Sequence, residues 1–448
     1  MKKYLIIAFL FLGYSSFAQQ VNTLFFQNDV AQSQQINPAR KMDSKWVVSI
    51  PVTNIGMVAY NEFSFSDIYY EQNGQGYINQ NALNNLLKPN NNTQLSGLSS
   101  EILGIYHQTD NFGFRVSVNY GLWQRVVYTD NMFDFLLRGP AAPGVLGQKQ
   151  EISALIDGIG YVSVNLGSNF KVTDKLTLGV TLKFLSGTHQ LKAQAEGSFM
   201  QKDNTSYDTE VDGRLTFSGY GLGEYIDEEN NFSVNEMDAV ESLAEVKNYG
   251  FAVDLGATYE LTDKWTIESS LISLGAIRWD DRDQIKYDSD LAAINFKGIN
   301  LDDIMKGNEV TSPIPSLDTL QFNNFEGEEK TDVTVMPWTF NLGTSFKFTK
   351  STTFGALYSQ TVFDKTVFPS FTLHAQQKLG RSFGIGLSYS ADKQSLTNFG
   401  GMVSVGFPGF QMYFITDNLL SAAVNWEKSA TANLRFGMNL KFGRSKKI

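Results

Sequence analysis

The chain has 448 residues, a formal net charge of −10 and no cysteine. A chain without cysteine excludes disulfides, thiolate metal ligands and a thiol nucleophile, and the acidic balance argues against nucleic acid as a partner. Aromatic residues make up 13% of the sequence and glycine occupies 38 positions, which is typical of a membrane β-barrel with aromatic girdles and a curved wall.

The N-terminus has the pattern of a cleaved signal peptide, predicted over residues 1–18. Residues 1–3 are a short basic region, residues 4–12 are apolar, and Ser16 and Ala18 are the small residues that precede a cleavage site. The apolar run is about half of the ~20 residues that a helix needs to span a bilayer, so we favour a cleaved signal over an uncleaved anchor.

The next segment, residues 19–44, is predicted to be periplasmic or to plug the barrel. Phe25, Phe26, Asn37 and Pro38 are the candidates to occupy the interior, and a plain periplasmic tail is the alternative. A barrel is predicted over residues 45–442, followed by a basic periplasmic tail over residues 443–448.

Alternation of apolar and polar residues recurs from the first third of the chain to its end, as expected for strands with two different faces. Six short gaps carry hairpin residues such as Asp, Asn, Gly and Pro, at 109–111, 172–175, 261–264, 348–351, 379–382 and 407–410. The other connections are mostly longer, at 61–92, 126–150, 188–247, 280–330, 364–368, 391–397 and 417–432. Short turns on one side and long loops on the other are typical of outer-membrane barrels.

Six hairpins give twelve strands, and an opening strand over 46–60 and a closing strand over 433–442 bring the number to fourteen. The predicted fold class is all-β, a transmembrane antiparallel β-barrel of about 14 strands with both termini in the periplasm. Sixteen strands is the alternative, because 205–220 and 285–297 can pair as extensions outside the membrane.

The closing strand shows the facing pattern most clearly. Large apolar residues occupy one phase, and the other phase carries Arg435 and Lys441. In the strands with the cleanest alternation, charges fall on the phase assigned to the lumen. A charge turned to lipid at mid-bilayer costs about 2–4 kcal/mol, so the register is hard to shift.

Charged residues and His374 on the inward phase are the candidate lumen or ligand residues: Arg115, Lys183, Asp254, Glu268, His374 and Arg435. The functional interpretation is a charged constriction or a surface that binds a plug or ligand. The alternative is that these charges suit a wet lumen and pair with one another, with Asp254 and Glu268 as partners for Arg435.

Glycine is frequent on the inward phase, for example at Gly179, Gly256 and Gly343. We favour strand curvature as the reason over room for a segment inside the barrel.

The long loops are predicted to hold short helices. Residues 78–88 have apolar residues at helical spacing. Residues 131–138 are a short apolar patch that packs in the mouth of the barrel, lies on the outer leaflet, or binds a partner or ligand. The loop over 203–245 is acidic, but it lacks the spacing of a calcium loop and is predicted to be a solvated loop.

Several segments resemble an uncharacterised family of outer-membrane proteins from the Bacteroidota. They are Ile-Asn-Pro-Ala at 36–39, the segment 50–56, the hairpin 161–184 and the strand 248–259. More distantly, the chain is similar to the long-chain fatty-acid transporter barrels, which have fourteen strands, an N-terminal plug and an Asn-Pro-Ala turn near it, and to the type IX secretion-system barrels. It departs from the transporters in having only about 25 residues between residue 19 and the first strand. Any plug is therefore expected to be small, which counts against ligand-gated transport.

Two functions follow as hypotheses. The first is a pore or transporter for small molecules, with hydrophobic molecules as candidates. The second is a non-transporting subunit of a cell-envelope complex for type IX secretion, gliding or outer-membrane assembly. Outer-membrane lipid is the predicted partner, with other envelope proteins as candidates. No catalytic residue, metal site or cofactor is predicted, because the three histidines lack metal spacing and a catalytic partner.

Overall fold

The structure is a computed structural model. It describes residues 22–72, 75–90, 92–133, 146–201, 209–220, 248–280, 284–292, 323–324, 332–380, 382–392, 396, 398–419 and 430–444. The predicted signal peptide, most of the apolar patch at 131–138, most of the acidic loop and all but two residues of the basic tail lie outside these residues.

Fourteen antiparallel strands close into a barrel, as predicted. They are β1 (Ser44–Ser49 and Asn54–Tyr60), β2 (Asn92–Gln108), β3 (Phe112–Tyr128), β4 (Gln150–Lys171), β5 (Leu176–Gln201), β6 (Asn248–Glu260), β7 (Trp265–Trp279), β8 (Asp332–Val335 and Trp338–Lys347), β9 (Thr352–Phe363), β10 (Thr366–Leu379), β11 (Phe383–Asp392), β12 (Asn398–Phe407), β13 (Gly409–Thr416) and β14 (Thr431–Arg444). Each strand pairs with the next, and β1 closes the ring by pairing with both β2 and β14.

The six predicted hairpin turns all join paired strands at one end of the barrel, here called the short-turn end. The opposite end is the long-loop end.

Two local predictions were wrong. The connection predicted at 364–368 is only the two residues between β9 and β10, since Asp364 adopts a positive φ of 52° that permits a tight turn. Strand β1 is also interrupted at 50–53, where Val52 has a φ of 59°, an outlier for a β-branched residue.

The two faces of the wall differ as the alternation predicts. Outward side chains are large and exposed, including Phe112, Val116, Leu166, Phe184, Phe251, Leu387 and Phe442. Inward side chains are mostly polar and buried, including Arg115, Ser117, Asn165, Thr181, Asp254, Ser388 and Asn439. The inward residues are buried because the interior is filled.

Beyond the long-loop end, the wall continues as a sheet that does not belong to the barrel. The upper part of β5 pairs with the strand Thr209–Tyr220, which pairs with Gln284–Ala292. These two segments were the reason that sixteen strands was the alternative prediction. They extend the wall and are not additional strands of the ring.

Short helices and one hairpin lie at the long-loop end. The helix Gln80–Leu86 lies within the helical patch predicted at 78–88, and Asp130–Phe133 is a single helical turn. The helix Phe65–Ile68 and a hairpin of Tyr69–Gln72 with Gln75–Ile78 precede them. In the described parts of the chain, no helix is both long and apolar enough to cross a membrane.

Candidate functional site

Residues 22–43, here called the plug, lie inside the barrel. They form two 3₁₀ helices, Asn22–Phe26 and Ala31–Gln35. Short 3₁₀ turns suit this segment because neither run is long enough to nucleate a stable α-helix. Leu24 and Thr23 are completely buried, so the segment occupies part of the barrel interior.

The start of the plug is held by a carboxylate from the far end of β13. The backbone N–H groups of Asn22 and Thr23 donate to Asp417 Oδ2 and Oδ1 at 2.6 and 3.0 Å. The Thr23 hydroxyl also donates to Asp417 Oδ1, and its oxygen lies 2.8 Å from Ser388 Oγ. This contact fixes the plug at the wall of β11 and β13.

Two aromatic residues anchor the middle of the plug. Phe26 stacks on His374 with ring centroids 4.6 Å apart and planes within 7°, and Phe25 lies under the guanidinium of Arg40 at 4.3 Å. They pack in an apolar cluster with wall residues Leu357, Met402, Tyr413 and Ile415. Burying such a side chain stabilises by about 1.5–3 kcal/mol, so this cluster is a major part of plug docking.

A socket of two glycines receives the Asn-Pro-Ala turn. Gly179 on β5 and Gly256 on β6 are direct partners in the sheet. A Cβ on Gly179 would lie 2.3 Å from the Ala39 nitrogen, and one on Gly256 would lie 2.1 Å from Asn37 Oδ1. Such distances are below any real contact, so this approach requires glycine. Our preference for curvature was therefore wrong at these positions, and Gly343 and Gly355 likewise make room for the plug's aromatic rings.

A buried ion pair ties the end of the plug to β7. Arg40 Nη2 pairs with Glu268, and the two side chains are 2% and 6% exposed. The Asn169 amide donates to the Arg40 carbonyl at 3.1 Å. Since both charges are removed from water, each depends on the other for compensation.

We predict that Glu268→Ala releases the plug, because it leaves the Arg40 guanidinium buried without an anion. Breaking such a pair from one side costs about 3–5 kcal/mol, so trypsin should cleave at Arg40 about a hundredfold faster or more. The double variant Arg40→Leu with Glu268→Leu removes both charges and should dock more firmly than Glu268→Ala, measured by protection of the plug from a protease that does not need a basic residue. Unchanged cleavage of Glu268→Ala would contradict a docking role for the pair.

Arg435 does not bond to Asp254 or Glu268, so that predicted pairing was wrong. Its Nη2 donates instead to Gln35 Oε1 of the plug at 2.6 Å. The reason is distance around the wall: β14 faces the second 3₁₀ helix of the plug, whereas Asp254 and Glu268 are on the other side of the plug and have partners of their own.

Lys183 and Asp254 pair with each other within the wall. Their Nζ and Oδ1 atoms are 2.7 Å apart, and Asp254 Oδ1 accepts the Ser273 N–H at 2.7 Å. The sheet register shifts at Asp254, and Ser273 has a φ of 62°. The carboxylate therefore satisfies a backbone group that a bulge leaves unpaired.

Arg115 is buried and donates through Nη2 to Thr181 Oγ1 at 3.0 Å. Within the described residues it makes no ion pair, and its Nε and Nη1 atoms have no hydrogen-bond partner. Its predicted role as a ligand residue stays a prediction.

Above the plug, toward the long-loop end, the interior is apolar. One cluster contains Ile159, Leu185, Ile277, Trp279 and Met336, with Trp123 and Tyr161 packed against it. A second cluster contains Tyr60, Leu95, Phe363 and Phe368 and shares Trp123. Together they are called the apolar layer. A wet lumen was predicted throughout, and this change was missed, although Ile159 and Tyr161 share the inward phase of Asn165 on β4 and were a usable signal.

Arg125 joins opposite walls at the level of the apolar layer. From β3 it contacts Asp157 Oδ2 at 3.2 Å, and Asp364 Oδ2 at 3.0 Å in the turn between β9 and β10. Strand β9 lies six strands from β3 in one direction around the ring and eight in the other, so the contact crosses the lumen. Two separate structures, the plug and the apolar layer, therefore occupy the described part of the lumen.

The described residues offer little chemistry beyond binding. Among them, no group of three or more His, Cys, Asp or Glu residues is placed to hold a metal ion. That the protein is not an enzyme stays a prediction.

Comparisons with known proteins identify one matching family and several solved barrel structures to which the chain is similar. The model of DUF5723, a family of unknown function, matches residues 38–417. The toluene transporter TbuX of Ralstonia pickettii is 11% identical, with a TM-score of 0.43 over 92% of this chain and 94% of that chain. The toluene transporter TodX of P. putida is 10% identical, with a TM-score of 0.40 over 97% and 96%. The translocator domain of the autotransporter NalP from Neisseria meningitidis is 9% identical, with a TM-score of 0.31 over 89% of each chain. No curated protein matches the chain.

Proposed function

The chain belongs to DUF5723, a family of unknown function, and we propose that it is an outer-membrane channel for small hydrophobic molecules, opened by displacement of its plug. The observation that carries the proposal is the layered lumen. A removable peptide held by non-covalent contacts closes the short-turn half, and an apolar layer lines the long-loop half.

The outward face supports a membrane location. Large apolar side chains cover it around the ring, and charges at such positions would cost about 2–4 kcal/mol each. We propose that the signal peptide is cleaved after residue 18 and that both termini lie in the periplasm, which makes the short-turn end periplasmic.

The apolar layer supports hydrophobic cargo. A water-soluble solute would have to leave water to pass Trp123, Ile159 and Trp279, whereas a hydrophobic molecule gains about 25 cal/mol per Å² of apolar surface that it buries. Arg125 and its two carboxylate partners lie beside this layer and connect opposite walls at the long-loop end.

Passage of naphthalene tests the proposal. The protein is placed in an asymmetric bilayer with a lipopolysaccharide outer leaflet, which hydrophobic solutes cross slowly on their own, and naphthalene fluorescence is followed on the inner side. We expect naphthalene to cross at least tenfold faster with the protein than through the empty membrane, and the rate of glucose passage to change hardly at all. A barrel that transmits neither solute, and co-purifies stoichiometrically with envelope proteins in mild detergent, would contradict the proposal.

One observation favours a second candidate, a non-transporting subunit of a cell-envelope complex. Strand β5 has 26 residues, well beyond the 9–11 that a tilted strand needs to span a membrane. The sheet that it forms with Thr209–Tyr220 and Gln284–Ala292 is suited to contact another protein. The co-purification arm of the same experiment distinguishes the two.

A further inference from the structure

Two opposite charges on the wall are held apart by one side chain of the plug. Glu101 on β2 and Arg435 on β14 are both buried, at 1% and 7% exposure. Gln35 lies between them: its Oε1 accepts from Arg435 Nη2 at 2.6 Å, and its Nε2 donates to Glu101 Oε2 at 2.6 Å. In the described parts of the chain, neither charge makes an ion pair within 4.0 Å.

The remaining contacts of Glu101 also depend partly on the plug. Gln32 Nε2 donates to Oε1 at 2.9 Å, and the wall residue Tyr106 donates to Oε2. Of three donors on this carboxylate, two therefore leave if the plug leaves. Arg435 would lose Gln35, and its Nε already has no hydrogen-bond partner.

The wall leaves a path between the two charges. Only β1 separates β14 from β2, and Gly56 of β1 is the direct partner of Arg435. A Cβ on Gly56 would lie 3.5 Å from Arg435 Nη1 and 2.8 Å from Ser99 Oγ of β2, so the guanidinium already extends over Gly56 toward β2. Two strand spacings are roughly 10 Å, a distance that an arginine and a glutamate side chain together can bridge.

We infer that Glu101, Gln35 and Arg435 form an interlock that exchanges partners when the plug moves. With the plug docked, the Gln35 amide bonds to both charges at once. When the plug leaves, Arg435 and Glu101 pair directly across Gly56. The inference rests on the proposed function, since it describes how the channel opens.

The exchange has a physical purpose. Release removes two of the three donors from Glu101 and removes Gln35 from Arg435, so these lost bonds oppose it. A guanidinium and a carboxylate that can meet in a bidentate pair replace the lost bonds and reduce this opposition. Glu268 has no such substitute for Arg40 in the described wall, so the interlock lowers the barrier to release while the Arg40–Glu268 pair retains the plug.

Accessibility of a single cysteine in the plug measures the exchange. The chain has no cysteine, and Thr23 is completely buried, so Thr23→Cys should react with a maleimide–polyethylene glycol only after the plug leaves. Labelling rates are compared for the full-length Thr23→Cys protein alone, with Glu101→Gln, with Arg435→Gln, and with both. Folding of each is checked by its migration on an unheated gel.

The interlock predicts coupling between the two sites. The coupling ratio is the labelling rate of the Thr23→Cys parent times that of the double variant, divided by the product of the rates of the two single variants. It should be about ten, because only the released state contains the direct pair between Arg435 and Glu101. A matched cycle at the exposed pair Lys171 and Asp174, 2.9 Å apart, should give a ratio near one.

The outcomes separate the inference from the proposed function. Labelling of the parent with a coupling ratio of one overturns the interlock and leaves plug displacement standing. No labelling in any variant overturns both.

Discussion

Filling the glycine socket should expel the plug and hold the channel open. We expect the double variant Gly179→Val with Gly256→Val to pass naphthalene across the asymmetric bilayer at least tenfold faster than the unmodified protein. The added methyl groups would meet Pro38 and Ala39 backbone atoms as well as Asn37 Oδ1, and backbone cannot swing aside as a flexible side chain can.

The free-energy cost of overpacking the socket is large enough to produce this effect. Overpacking costs about 1–3 kcal/mol per substitution, and a tenfold shift in a two-state equilibrium needs only about 1.4 kcal/mol. Valine favours extended strands, so the wall itself should tolerate the change.

Gly158→Val is the matched control for the socket. A Cβ there would lie 3.5 Å from the Trp123 carbonyl and 4.0 Å from Gln124 Cγ, both ordinary contacts away from the plug. This variant should pass naphthalene at the rate of the unmodified protein. A socket variant that passes naphthalene no faster than the control, with its plug still protected from protease, would show that the socket does not hold the plug.

The barrel could be predicted from the sequence because its signals are local. Alternation with a period of two assigns each side chain to a face, and hairpin turns contain Asp, Asn, Gly or Pro. The six short turns are correct for this reason. The break in β1 at Val52 was missed because no glycine or asparagine marks that positive φ.

The partners inside the barrel could not be predicted in the same way. The inward phase of Lys183, Asp254, Glu268 and Arg435 is visible in their strands, but a partner across the lumen depends on the ring's closure and on what fills it. Glu268 and Arg40 are 228 positions apart, and nothing local to either residue indicates the other.

Two central residues were not among the predicted sites. The register shift between Glu101 and Leu103 breaks the alternation that would have marked Glu101 as inward. Arg125 was placed at the edge of a loop, although β3 continues to Tyr128. The plug segment did carry a signal: residues 27–35 contain four glutamines and one charge, and amides can both donate to and accept from a polar wall.

A disulfide between the plug and β11 should close the channel. Thr23 Oγ1 and Ser388 Oγ are 2.8 Å apart, close enough that cysteines at both positions can form a bond of about 2.05 Å with small adjustments. The chain has no cysteine, so Thr23→Cys with Ser388→Cys can form only this intramolecular bond. The two single variants are controls for the substitutions and for the oxidant.

Naphthalene passage through Thr23→Cys with Ser388→Cys tests plug displacement most directly. The oxidised protein is placed in the asymmetric bilayer, naphthalene fluorescence is followed on the inner side, and the same membrane is then treated with a reductant. We expect passage no faster than through the empty membrane before reduction and at least tenfold faster after it, with neither single variant responding to the change. Equal rates of passage in the oxidised and reduced states would contradict the claim that solutes pass only when the plug has moved.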